Sequence, residues 1–406
     1  MGRVAVVGGS VAGCAAALAA RRGGADEITV YERAPGPLGD RGAGLAVHND
    51  RYAELAASGF LDAGMPWVQM TRRAWFVRDD RAGSDPLGRR VWQTPFPFRT
   101  YNWGPLWREL RGRIPADTEF RTGVEVTRVA ARADGTVEVH TASGAAAEHD
   151  LVIGADGYRS LVRAAACGPI RPAYAGYAAW RGAFPEERLD DPERWPTDEC
   201  AYAVFPGGHL IVYRIPDPAT GGTRANWVLY TAPPPGLDRR LRTPTSMPPG
   251  QVDDALRAHL AYVAKELLPP YWGDLVLRTT GDELALQPLY DFTADRYTAP
   301  GMLLTGDAAT VARPHTGAGA VKALQDARAL QSALAGAATL DEALAAYDAD
   351  RAPVGRTMVD LGRRLGLALV EATPDWAAMD ESALREWWQQ ADSGGLFGGH
   401  PTTRSS

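Results

Sequence analysis

No stretch of this sequence reaches the roughly eighteen uninterrupted apolar residues that a membrane-spanning helix needs, so no membrane partner is expected. Cysteine is scarce. Cys14, Cys167 and Cys200 stand far apart with no CxxC between them, which argues against a disulfide framework or a zinc site and for a reducing, cytoplasmic setting. Lysine is almost absent, no Lys/Arg run stands out and the net charge of −6 is mild, so nucleic acid is not an expected partner. A leader peptide is not expected either. The apolar residues 1–20 are broken by Gly8, Gly9 and Gly13, and Arg21-Arg22-Gly23-Gly24 follows where a cleavage site would lie.

What is present is length and apolar content. The chain has 406 residues, 45% of them apolar, enough for two or three closely packed domains that can hide a flat cofactor. Arg3–Val7 reads as a buried strand, the alanine-rich stretch through Ala20 as a helix, and residues 27–31 as the next strand, giving a βαβ opening. Residues 124–130 and 136–140 alternate around Asp134-Gly135 as a hairpin, and 151–153 is again a buried strand. Between about 174 and 231, runs rich in Tyr, Trp and Val predict an antiparallel sheet with one covered face. The proline-dense stretch 233–250 reads as loop, 252–267 as helix, 301–305 as strand, 319–334 and 341–370 as helices, and the residues from 391 as a frayed tail.

The first strand runs into Gly8-Gly9-Ser10-Val11-Ala12-Gly13, a near match to GxGxxG with Ser10 in place of the second glycine. Such a turn brings bare backbone up to a pyrophosphate and aims the free amides of a helix N-terminus at its charge. Glu32, nineteen residues after Gly13, is placed to accept the adenosine ribose hydroxyls, with Arg33 beside it. An acid there disfavours a 2′-phosphate but does not separate FAD from NAD.

Two further constellations follow. One is Gly154-Ala155-Asp156-Gly157-Tyr158-Arg159-Ser160. The other is Gly306-Asp307-Ala308-Ala309 with Arg313-Pro314-His315-Thr316-Gly317-Ala318-Gly319-Ala320. In order and spacing, up to about residue 355, the three motifs resemble the signatures of the para-hydroxybenzoate hydroxylase-type FAD-dependent aromatic monooxygenases. The resemblance implies tight, non-covalent FAD, with NAD(P)H as a transient co-substrate. It implies that Gly306 and Asp307 bind the ribityl or ribose hydroxyls, and that Asp156 sits where its loop meets the pyrophosphate region and the nicotinamide. It also implies that Val126 offers its backbone to the adenine, that Arg41 and Arg108 contact the phosphates, and that Gly317, Ala318, Gly319 and Ala320 open a helix toward the flavin. One departure is Thr310, where the family often has histidine.

The middle of the chain resembles the 2,6-dihydroxypyridine 3-hydroxylase-like members of that family. The similarity lies in residues 174–182, 208–216, Asn226-Trp227, Pro244-Thr245-Ser246 and Arg313-Pro314-His315. It implies hydroxylation of a small electron-rich aromatic or N-heteroaromatic ring by O2, through a flavin hydroperoxide. The expected catalytic residues are His315, Pro314, Arg181 and Tyr213, with His315 a candidate proton acceptor; Tyr177, Trp180, Tyr202 and Trp227 are expected to hold substrate. An oxidase or dehydrogenase on the same scaffold, or a non-catalytic flavin-binding protein, stays open at this point, as do monomer and homodimer. The expected fold is α/β: a discontinuous Rossmann-type FAD-binding domain (1–73, 98–172, 283–340), an inserted antiparallel substrate domain (74–97, 173–282), C-terminal helices (341–390) and a flexible tail (391–406).

Overall fold

The computed structural model describes residues 2–39, 44–233, 236, 241–242, 246–393 and 397–399. Arg41 and the Pro244-Thr245 pair lie outside the described residues. One sheet has six strands in the order 298–299, 302–304, 151–154, 3–7, 27–32 and 119–122. All neighbours run parallel except the short 298–299 edge. Its central strands are unbroken apolar runs because helices cover both faces. The Val11–Arg22 helix leaves the first strand at once, and its run of small residues from Cys14 to Ala17 is fully buried. Gly24, at φ 94°, turns the chain back into the second strand. The expected hairpin forms from Val126–Ala131 and Val137–Thr141, with Ala146–His149 as a third strand.

The second sheet has nine strands, in the order 310–311, 285–293, 173–185, 223–231, 208–216, 199–205, 68–77, 89–102 and 44–48. Two expectations are corrected here. The pairing of 199–205 with 68–77 is parallel, and the sheet is covered on both faces, with every residue of Glu199–Phe205 buried. One face packs Trp180, Trp227, Trp195 and Trp272 under the helices Asp254–Tyr262 and Pro270–Leu277. The other packs Tyr177, Tyr202 and Tyr230 against Leu361 and Leu365 of the Leu340–Gly366 helix.

The expected domain boundaries at 73/74 and 97/98 fall inside the strands Val68–Val77 and Arg89–Asn102, which belong whole to this sheet. The tail expectation also changes. Residues 391 and 392 end the Glu381–Asp392 helix, Gly398 donates its N–H to Thr316 O at 2.8 Å, and the Phe397 ring lies 5.7 Å from Phe98. No helix among the described residues is long and apolar enough to cross a membrane.

Candidate active site

The three separated motifs converge at one end of the parallel sheet. Thr305 N bonds Gly154 O at 2.9 Å, and Arg163 Nη1 bonds Ala308 O at 2.9 Å, tying the Asp-Gly loop to the Gly-Asp turn. A Cβ on Gly8 would overlap Ala155 O, one on Gly13 would overlap Gly8 O, and one on Gly306 would lie 2.9 Å from Ala12. Glycine is therefore required at each place, most plainly at Gly8, with φ 102°. Glu32 is buried at the rim, its two oxygens accepting from Gly9 N at 2.8 Å and Ala34 N at 2.7 Å. Ser10 is the helix N-cap yet makes no side-chain capping bond, so its hydroxyl is not spent on the helix.

Asp156 accepts from Leu161 N and Val162 N through Oδ2, while its buried Oδ1 has no partner among the described residues; burial raises its pKa, opposed by those hydrogen bonds and one from Ser160. Asp307 stands exposed on a single turn between buried Gly306 and Ala308. Beneath that turn lies a buried ion triad. Asp326 accepts from Gly306 N at 2.9 Å, Lys322 Nζ at 2.6 Å and Arg351 Nε at 2.8 Å. Burial alone would raise the Asp326 pKa, but the two cations hold it below its ordinary value.

The outlying candidates are also placed. Arg33 and Arg108 are exposed, and the Arg108 guanidinium lies over Gly39. Val126 is buried at the start of its strand, two residues past Val124, whose N–H bonds Glu32 O. Gly317, at φ 64°, precedes the Gly319–Gly336 helix, whose N-terminus has no side-chain cap; Gly317 and Gly319 are exposed and Ala318 is buried.

A second group of residues gathers on the inner face of the nine-stranded sheet. Tyr177 Oη lies 2.7 Å from His315 Nε2 and receives a long bond from Arg313 Nη1 at 3.5 Å. Asp291, fully buried, holds Arg313 Nε at 2.9 Å and Arg363 Nη2 at 2.6 Å. His209 Nδ1 lies 3.3 Å from Leu369 O, and its ring stands 4.9 Å from Tyr230, 6.0 Å from Tyr202 and 5.3 Å from His315. Arg181 and Tyr213 belong to this face, because Arg181 pairs with Val228 and Tyr213 with Asn226, whose even-numbered strand positions line it.

Trp180 and Trp227 do not join them. Strand alternation turns both to the opposite face, where Trp227 Nε1 bonds Thr279 Oγ1 at 2.8 Å, so their expected role in holding substrate is replaced by core packing. Pro314 sits exposed beside His315 on a single turn.

A profile described as "FAD binding domain" matches residues 251–362, and one described as "FAD binding domain-like" matches 174–283. The 2,6-dihydroxypyridine 3-monooxygenase of Paenarthrobacter nicotinovorans is 34% identical over 341 residues, covering 81% of each chain. The chain belongs to the FAD-dependent flavoprotein monooxygenases. Another member, the 3-amino-4-hydroxybenzoate 2-monooxygenase of Streptomyces cremeus, is 30% identical over 89% of this chain and 86% of its own. The solved 2,6-dihydroxypyridine-3-hydroxylase from Arthrobacter nicotinovorans superposes with a TM-score of 0.80 at 29% identity, over 92% of this chain and 93% of that one. A Klebsiella pneumoniae HpxO solved with FAD and uric acid shares the fold at a TM-score of 0.74 and 23% identity, over 96% of this chain and 92% of that one.

The residues of this flavoprotein monooxygenase fit FAD. The glycine turn leaves a cradle that a Cβ would fill, the Asp156 carboxylate keeps a buried oxygen without a partner among the described residues, and the Asp307 carboxylate is exposed between buried neighbours.

Sequence reasoning missed Tyr230, His209 and Asn226 as site residues. The signal was available. In the Gly208–Pro216 strand His209 shares parity, and therefore a face, with Tyr213.

The buried histidines give the monooxygenase a pH signature. Burial, reinforced by the positive charge of Arg3 and Arg121, holds His149 at about 4, and burial holds His209 at about 3, both below the ordinary imidazole value near 6.5. The unfolded chain therefore takes up these protons first. Their contribution to stability is complete above pH ~6.5 and is lost as pH falls toward the folded values. Each accounts for up to about 1.4 kcal/mol per pH unit. Denaturant unfolding of wild type and His149→Gln between pH 7 and 5 should show a shallower loss in the variant. Parallel slopes would refute the assignment.

Proposed function

We propose that the enzyme hydroxylates a small, electron-rich aromatic or N-heteroaromatic ring with NAD(P)H as electron donor, and that the ring is gripped by one polar edge between His315 and His209. The observation that carries this reading is a pair of buried nitrogens with opposite hydrogen-bonding character and no hydrogen-bond partner among the described residues, His315 Nδ1 and His209 Nε2. A backbone carbonyl only accepts, so His209 Nδ1 carries the proton toward Leu369 O and Nε2 is left as an acceptor. Arg313 only donates, so the Tyr177 hydroxyl accepts from it and gives its own proton to His315 Nε2, leaving Nδ1–H as a donor. A ring hydroxyl, or a lactam edge with N–H beside C=O, satisfies both.

This assignment replaces the expected role of His315 as proton acceptor. Its free nitrogen already carries a proton, and burial with the nearby His209 and Arg313 keeps the ring neutral. His315 instead donates to a ring oxygen and so orients the ring, which gives up electron density in the attack, and Tyr177 and Arg313 hold the imidazole in that tautomer. Bound FAD, reduced by NAD(P)H, supplies the activated oxygen atom from O2. The protein excludes water, orients the ring and aligns these donors.

We further propose that the six-stranded parallel sheet is the Rossmann-type cofactor unit, holding FAD through Gly8, Ser10, Gly13, Glu32, Asp156, Asp307 and the 317–320 turn, with Arg41 and Arg108 toward the phosphates. The nine-stranded sheet would be the substrate unit. The relatives' names point the same way: a dihydroxypyridine, an aminohydroxybenzoate and, for a Pseudomonas fluorescens protein 29% identical over 86% of this chain, 6-hydroxynicotinate.

The test is substrate-stimulated NAD(P)H consumption across a panel of hydroxypyridines and phenols under labelled O2. One labelled oxygen per product and per hydride is expected. Stoichiometric hydrogen peroxide with no label in any product would make the protein an oxidase instead.

A further inference from the structure

The helices Gly319–Gly336 and Leu340–Gly366 pack against each other, and a cavity of about 350 Å³ lies between them with Arg351 of the ion triad in its wall. The wall is built at helical spacing. Arg328 and Ser332 stand one turn apart on the first helix, and Tyr347 and Arg351 one turn apart on the second. Ala333 and Ala346 keep the space open, since neither side chain extends past a methyl group.

Arg351 is 2% exposed, and its Nη2 is buried with no hydrogen-bond partner among the described residues. Asp326 holds Nε at 2.8 Å, while the exposed Asp350 comes only to 4.0 Å from Nη1. The triad as a whole is not neutral. Asp326 brings one negative charge to two cations, and Lys322 also stands 5.0 Å over the Tyr297 ring. A guanidinium keeps its proton at any working pH, so the surplus positive charge is permanent. A buried charge without its counter-ion is costly, and here the surplus lies beside an open space rather than within closed packing.

The rest of the wall says what kind of anion fits. Arg328, half-buried, adds a second guanidinium, and Ser332 adds a hydroxyl at the rim. Two planar forks and a hydroxyl suit a tetrahedral anion, whose oxygens accept from several directions at once. Asp350 is the one acid among the described residues of the wall, and with 62% of its side chain exposed it is screened by water.

We propose that this cavity is a binding site for a phosphate group, held by Arg351 Nη2, Arg328 and Ser332, and that its occupant tightens the hold on FAD. The link runs through one carboxylate. A phosphate that fixes Arg351 also fixes Asp326, and Asp326 accepts the N–H of Gly306, the residue before Asp307. The coupling rests on the FAD placement proposed above; the phosphate site does not.

The experiment titrates FAD-loaded enzyme, its flavin site already filled, with inorganic phosphate and with glycerol phosphate by calorimetry, at constant ionic strength in chloride. One saturable site per chain is expected. Tighter binding of the ester makes a phosphorylated metabolite the occupant, and tighter binding of inorganic phosphate makes it the free ion. Ser332→Trp fills the cavity from its exposed rim without touching the triad, and Arg328→Met removes one charged donor. Each should weaken binding about 10- to 10²-fold. No saturable site in wild type, or undiminished binding in both variants, overturns the proposal; the wild-type titration stands even if a variant does not fold. Flavin lost on repeated dilution reads the coupling. Saturating phosphate should cut that loss about 5-fold or more in wild type and leave Ser332→Trp unchanged. Phosphate that binds without slowing flavin loss overturns the coupling and leaves the site. Asp307→Ala tells this apart from a misplaced cofactor, because full flavin retention in that variant would sink the FAD placement instead.

Discussion

Asp326→Ala is expected to lower the unfolding free energy by about 3–5 kcal/mol and to empty the protein of FAD together. Lys322 and Arg351 are each 2% exposed, and both discharge onto this one carboxylate. Without it two buried cations face each other. Burial already works against the charge of Lys322, whose pKa is raised because Asp326, with a smaller contribution from Tyr297, outweighs that penalty. The same carboxylate accepts the N–H of Gly306, so its loss frees the turn that presents Asp307. Thermal melting followed by circular dichroism, with flavin content after gel filtration, reads both effects. A variant with wild-type melting temperature and full flavin would show that the triad is dispensable.

Gly13→Ala should spare the fold but raise the FAD dissociation constant by about 10²–10⁴, the cost of two misplaced charge-assisted hydrogen bonds at about 1.5–3 kcal/mol each. The added methyl overlaps the carbonyl oxygen of Gly8, which is backbone and has no rotamer through which to yield. The turn must open, which carries its amides away from the pyrophosphate. Gly112→Ala is the control. That position lies inside the Trp103–Arg113 helix with nothing within 4 Å of a Cβ, so unchanged FAD affinity and a slight gain in stability are expected. Flavin fluorescence titration of both apoproteins decides it, and equal affinities in the two would remove the close-approach argument.

The cofactor side was legible because its demands are local. A glycine that must accept φ 102° at position 8, an acid closing the second strand and an Asp-Gly turn each leave a mark within a few residues. The ion triad left no such mark. Lys322 and Asp326 are one helical turn apart, but Arg351 comes from the next helix, and only tertiary packing brings it in.

The substrate face was half legible. Tyr177, Arg181, Tyr202 and Tyr213 lie on it, while Trp180 and Trp227, expected to hold substrate, pack on the opposite face. Position 180 cannot share a face with 181, and in the Thr223–Thr231 strand the even positions, with Asn226 and Tyr230, face inward.

The strand order of the six-stranded sheet also governs how the chain must fold as it is made. Residues 3–7 find a parallel neighbour in 27–32 early, but their other neighbour is 151–154, which in turn waits for 302–304. Contacts separated by about 150 residues at each step are slow to close, and until they do the first βαβ unit leaves one hydrogen-bonding edge bare. Ribosome-bound chains shorter than about 305 residues should therefore retain no flavin and should lean on chaperones, with cofactor capture a late, post-translational event.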